Sequence, residues 1–139
     1  MTDEIKNVLD ILDEYKAEID KDVQLDRINI VEQQLKAPAL KAKWVSRTMN
    51  HKKQILTLED ILEAAMMEVT KKIKNESPIE ISDIVAERSA ESHELIKKIK
   101  KQIKDERAIV EYLEKVERIF SSLTYDLKNI ADFIKLETT

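Results

Sequence analysis

The stretch Leu113–Ile134, "LEKVERIFSSLTYDLKNIADFI", decides the fold class. Its apolar residues Leu113, Val116, Phe120, Leu123, Leu127, Ile130 and Ile134 recur at spacings of 3, 4, 3, 4, 3 and 4. A strand would alternate at every second position; this alternation of threes and fours draws one stripe along a helix, the a/d seam of a coiled coil. "SSLT" at 121–124 is the weak point, where a local bend is expected. No glycine or proline occurs after Pro78, so the reading extends upstream to one long helix over 82–137. Leu95 and Ile99 share the stripe, and Lys97, Lys98, Lys100, Lys101 and Lys104 surround it.

The rest of the chain repeats this pattern. Ile5, Val8, Leu12, Tyr15 and Ile19 predict an N-terminal helix within 1–25, with Asp3 as a candidate cap. Ile55, Leu58, Leu62, Ala65 and Val69 belong to a second, basic helix over 26–75. Pro38 lies inside it and predicts a kink or a fresh start, since an interior proline costs about 3 kcal/mol. "NESPIEISD" at 75–83 supplies the turn, over 76–81, and Ser82 is placed to cap the next helix. The 139 residues contain no glycine, and hairpin turns and bulges of a β protein depend on glycine. The expectation is therefore all-α, one domain over 1–139, built as a long helical hairpin or coiled-coil subunit. Fifty helical residues reach about 75 Å. Helices of that length expose narrow apolar seams, which predicts burial against another copy of the chain, with Leu113, Val116, Phe120, Leu123, Leu127, Ile130 and Ile134 as the oligomerisation residues.

Charge is arranged in blocks. The chain is acidic, at net −4, yet 33–58 carries net +6 with no acid at all. The flanking blocks 1–32 and 59–94 are each net −6. Such alternation predicts one band built to meet an anion, with acidic flanks that repel misplaced anions or pair with neighbouring subunits. On a helical wheel Lys36, Leu40, Lys43, Trp44, Arg47 and His51 share about a third of the circumference, Lys41 and Lys52 flank that sector, and Lys53 lies opposite. Cations beside an aromatic ring suit single-stranded nucleic acid, whose phosphates and unpaired bases they match. No row of Asn, Gln and Arg is aimed at a major groove. Two plainer readings stand beside this one: the lysines as a solvated face, and Trp44 as a core residue.

Other chemistry finds no footing. Cysteine is absent, which suits a reducing compartment, and no run of about 18 apolar residues could span a membrane. The opening "MTDEIKNVLD" lacks a signal-peptide pattern. His51 and His93 are far apart, and Glu91 and His93 fall on different helix faces, so no metal site is expected. There is no phosphate-binding loop and no nucleophile–base set. No enzyme activity and no cofactor are expected.

Two segments carry a family resemblance. "AKWVSRTMNHKK" (42–53) resembles the lysine–tryptophan segment of the UvsY-type recombination mediators of T4-like bacteriophages. "FSSLTYDLKNIADFIKL" (120–136) is similar to that family's C-terminal segment through Tyr125, Leu127, Lys128, Asn129 and Ile130. The resemblance implies a helical protein closing into a ring-shaped homo-oligomer, a heptamer in the best-known member, in the cytoplasm of the infected bacterial host. It implies binding to single-stranded DNA and to the phage single-strand-binding protein, and loading of a RecA-like recombinase of the UvsX type. The short Leu-Lys-Ala-Arg DNA-binding motif that the best-known member has further along its second helix is absent. The corresponding region reads "MMEVTKKIKNE", where Lys71, Lys72 and Lys74 keep positive charge. The expected DNA contacts are thus Lys36, Lys41, Lys43, Trp44, Arg47, His51, Lys52, Lys53, Lys71, Lys72 and Lys74. A coiled-coil scaffold without nucleic-acid binding is the alternative.

Overall fold

The structure, a computed structural model, describes residues 7–23 and 30–138. They form four helices and no strand: α1 (Val8–Asp22), α2 (Ile30–Glu76), α3 (Asp83–Glu91) and α4 (Glu94–Thr138). Asn7 caps α1, its side-chain oxygen accepting the Asp10 N–H at 2.9 Å. The expected cap at Asp3 and the expected helix start near Asp26 lie outside the described residues.

Helix α2 runs 47 residues and continues through Pro38. The proline removes one backbone bond, to the Gln34 carbonyl. Burial of Ala37 and Trp44 on the adjoining turns offsets that loss. Ser82 caps α3, accepting the Val85 N–H at 3.3 Å. The single helix expected over 82–137 is two helices. Ser92 ends α3, and the His93 imidazole then accepts the Leu95 N–H through Nδ1 at 3.2 Å. A histidine that accepts a terminal amide restarts the chain without glycine or proline.

The described residues pack as two compact units, and α2 and α4 each contribute to both. The first comprises residues up to Asn50 and from Ala108 on; its core is Ile19, Ala37, Trp44, Ile109, Leu113, Val116, Phe120, Leu123 and Leu127. Val8, Ile11, Leu12, Tyr15 and Leu40 pack against that core. The second comprises 51–107, with a core of Ala65, Val69, Ala90, Ile96, Ile99 and Ile103, lined by Ile55, Leu58 and Leu62.

Leu113, Val116, Phe120, Leu123 and Leu127 are already covered within one chain, by α1 and the first part of α2. Ile134 packs at the edge of the same core, and Ile130 is exposed. The seam needed a partner, as its spacing says, and found it in its own N-terminal third. Apolar surface is exposed elsewhere in this unit: Val31, Leu35, Ile119, Tyr125, Phe133 and Leu136.

Candidate nucleic-acid interface

The central turn of the basic stretch is built around Trp44. Its ring is fully buried, at 0% exposure, in the same core as Ile19. Tyr15 meets it edge to face, with centroids 5.6 Å apart and planes at 86°. Packing of Tyr15 and Ile19 fixes the rotation of α1, and that rotation presents Glu18 and Asp22, one turn apart, to α2. Asp22 Oδ2 accepts from Lys43 Nζ at 2.6 Å and from the indole Nε1 at 2.9 Å. Glu18 Oε2 accepts from Lys43 Nζ at 2.8 Å and from the Arg47 guanidinium. The guanidinium also lies over both rings, 4.6 Å from the Trp44 centroid and 5.3 Å from that of Tyr15. Lys43 Nζ sits 5.1 Å from the Trp44 centroid.

The electrostatics are set by these contacts. The Arg47 hydrogen bond holds the Glu18 carboxyl below its usual range, against partial burial, with Lys43 adding to the effect. Burial works against the Lys43 ammonium, but hydrogen bonds to Asp22 and Glu18 outweigh it and raise its pKa. Two of the six bases in this stretch are thus neutralised by acids of the same chain. A third, Lys36, pairs with Glu32 at 2.6 Å across one exposed turn, which lowers the Glu32 pKa. Lys41 is exposed and has no ion-pair partner among the described residues.

The other expected contacts belong to the second unit. His51 Nδ1 lies 2.5 Å from Glu106 Oε2, and Gln54, its amide nitrogen turned towards Glu106, donates to Oε1 at 2.8 Å. Lys74 pairs with Asp83, which raises the Lys74 pKa. Lys52, Lys53, Lys71 and Lys72 are exposed. Of these, Lys53, Lys71 and Lys72 carry no ion pair among the described residues. The eleven positions therefore divide between the units and among three environments: a clasp at half-buried Lys43 and Arg47 around the buried Trp44, a half-buried His51 on Glu106, and solvent-facing lysines elsewhere.

Reading by charge blocks did not identify Glu18 and Asp22 as partners of the basic stretch. The signal was present: both sit beside Tyr15 and Ile19, the residues of the α1 stripe. Among the described residues no cluster of His, Asp or Glu could hold a metal ion, and no helix is long and apolar enough to cross a membrane.

The geometry has a close structural counterpart. The crystal structure of the bacteriophage T4 recombination mediator protein UvsY superposes with a TM-score of 0.78 at 16% identity, covering 91% of this chain and 98% of the T4 chain. A second lattice form of the same T4 protein gives 0.76 at 15% identity, over 92% and 98%. At that identity the likeness establishes the fold. None of the curated protein sequences matches the chain. Residues 18–139 match the family model described as "Recombination, repair and ssDNA binding protein UvsY", and since that match takes in Glu18, Asp22, the basic stretch and all of α4, the chain belongs to the UvsY family.

Proposed function

We propose that this chain is a recombination mediator, which binds single-stranded DNA and promotes loading of a RecA-like recombinase onto DNA covered by single-strand-binding protein. It acts by binding rather than by catalysis, in the cytoplasm of an infected bacterial host. The family match over residues 18–139 is the observation that carries this reading. Phosphate contacts come from exposed lysines: Lys41 in the first unit, and Lys52, Lys53, Lys71 and Lys72 in the second. Lys36 and Lys74 join them by exchanging an exposed carboxylate for a phosphate. Lys43, Trp44 and Arg47 hold the scaffold rather than the strand, because a fully buried ring offers no face to a base.

Self-association strengthens such binding, since linked weak sites add through effective concentration. The surface we assign to it is the exposed set Val31, Leu35, Tyr125, Phe133 and Leu136, rather than the internally buried seam. The test uses a labelled oligothymidylate followed by polarisation, and a strand-dependent ATPase assay of a RecA-like recombinase on DNA precoated with single-strand-binding protein. Saturable binding and faster onset of ATPase are expected. Binding without any effect on onset would refute the loading role, and no binding at low salt would leave the chain a helical scaffold.

A further inference from the structure

A second run of positive charge lies outside the sites described so far. Lys97, Lys98, Lys100, Lys101 and Lys104 are all exposed, in the first turns of α4. Burial of Ile96, Ile99 and Ile103 in the core of the second unit fixes which face of the helix they occupy. Unlike Lys43 and Arg47, these lysines stay open. Lys101 has one distant partner, Asp105 at 3.5 Å, and Lys97, Lys98, Lys100 and Lys104 have none among the described residues.

The placement is unfavourable for an isolated helix in two ways. Lys97 neighbours Lys100 and Lys101, Lys101 also neighbours Lys98 and Lys104, and Lys100 neighbours Lys104, all at spacings of three or four where like charges repel. The row also begins at the positive end of the helix dipole, which disfavours cations. A bound polyanion would relieve both.

The surroundings select the anion. From 97 to 104 every exposed position is Lys or Gln. A protein partner asks for an apolar or aromatic anchor at the centre of its footprint; no exposed position within the row supplies one, and the nearest apolar surface, Leu95 and the Met66 and Met67 beside Lys100, lies at its margin. A sugar–phosphate backbone asks only for cations along a line, and Lys97 to Lys104 spans about 10 Å of helix axis. We propose that the lysine row of α4 is a track for the phosphates of a single strand, separate from the lysines of α2. The inference rests on the single-strand-binding reading above.

The test compares the full chain with Lys97→Gln/Lys100→Gln/Lys104→Gln, using labelled oligothymidylate and oligoadenylate over a salt series. Circular dichroism and melting establish that the variant is folded. Each lost phosphate contact removes about 0.7 from the slope of log K against log salt, and about 0.7 decade of affinity at 0.1 M. Three contacts predict roughly 100-fold weaker binding and a slope flatter by about 2.1, equally for both oligonucleotides. Without DNA the variant should melt no lower than the unsubstituted chain. A folded variant that keeps full affinity and slope overturns the track while sparing the single-strand reading. If the unsubstituted chain binds neither oligonucleotide, both fall. If polyglutamate binds the unsubstituted chain more tightly than the oligonucleotides do, and the substitutions abolish that binding, the row is a protein-docking site and the proposal is overturned.

Discussion

Replacing Trp44 by Ala should unfold the first unit's centre without touching a DNA contact. The ring is fully buried between Tyr15, the Arg47 guanidinium and the core of α4. Truncating a buried tryptophan to alanine costs about 3–5 kcal/mol. That sum already includes its bond to Asp22, a charge-assisted bond worth about 1.5–3 kcal/mol. For a chain of this length about 4 kcal/mol lowers the melting midpoint by roughly 8–16 °C. Trp44→Phe keeps most of the volume and loses only the N–H, so its loss should fall nearer 1.5–3 kcal/mol. Melting by circular dichroism at matched protein concentration checks both values, since association shifts the midpoint. Oligothymidylate affinity, measured below the variants' melting transitions, should change less than twofold. A ring that stacked on bases would behave in reverse: affinity would fall by about 1–3 kcal/mol with the midpoint unmoved. That result would refute the assignment of Trp44 to the core.

The clasp can be tested by substitution and by pH. Glu18→Gln/Asp22→Asn should destabilise the chain by about 1–3 kcal/mol, and by freeing Lys43 and Arg47 should tighten single-strand binding by up to about 1.4 decades at 0.1 M salt; melting and a polarisation titration read the two effects. The Glu18 pKa is lower in the folded chain than its ordinary 4.5, so its contribution is present above that value and disappears as pH falls through the depressed one. Acid titration followed by circular dichroism should therefore lose part of its low-pH unfolding limb in Glu18→Gln. Tyr125→Ser/Phe133→Ser/Leu136→Ser removes exposed apolar surface only, so sedimentation should show smaller species at unchanged helicity. Leu113→Ala should instead cost about 2–5 kcal/mol of stability, because that side chain is fully buried within the chain.

The all-helical class was legible because periodicity is local. Each stripe that positioned a helix, from Tyr15 and Ile19 to Leu123 and Leu127, records only that one face is apolar. What covers the face is not local. The Leu113–Leu127 spacing fits an interchain seam and an intrachain core equally well, and α1 decides between them by supplying Val8, Ile11, Leu12, Tyr15 and Ile19. The break between α3 and α4 was hidden for a related reason. Its cap is an imidazole lone pair accepting the Leu95 amide, and histidine carries no strong signal as a helix start. The charge blocks were visible, but their pairing was not. Glu18 reaches Lys43 and Arg47 across 25 and 29 residues of sequence, a separation no helical wheel represents.

That pairing changes what the net charge means. An acidic chain that binds a polyanion must keep some cations from its own carboxylates, and the two basic runs differ in how they are placed. In the first-unit part of the 35–53 run, the turns that carry Lys43, Trp44 and Arg47 lie against α1, and the apolar contacts that hold α1 there also bring Glu18 and Asp22 to those bases. Its most buried bases therefore serve the fold. The run at 97–104 lies on a helix whose partners in the second unit are apolar: Ile96, Ile99 and Ile103 pack with Ala65, Val69 and Ala90. Among the nearby acids, Asp105 is partly used by Lys101 and Glu106 is held by His51 and Gln54, while Glu94 stands one turn before Lys97 and Lys98, and Glu59 and Glu63 share a hollow with Lys100. Hydrophobic packing thus determines which positive charge is spent on the fold and which faces solvent. Counting bases along the sequence ranks the 35–53 run first. Counting bases without partners moves the emphasis to α4, and the lysine-row variants measure that difference as a change in salt slope.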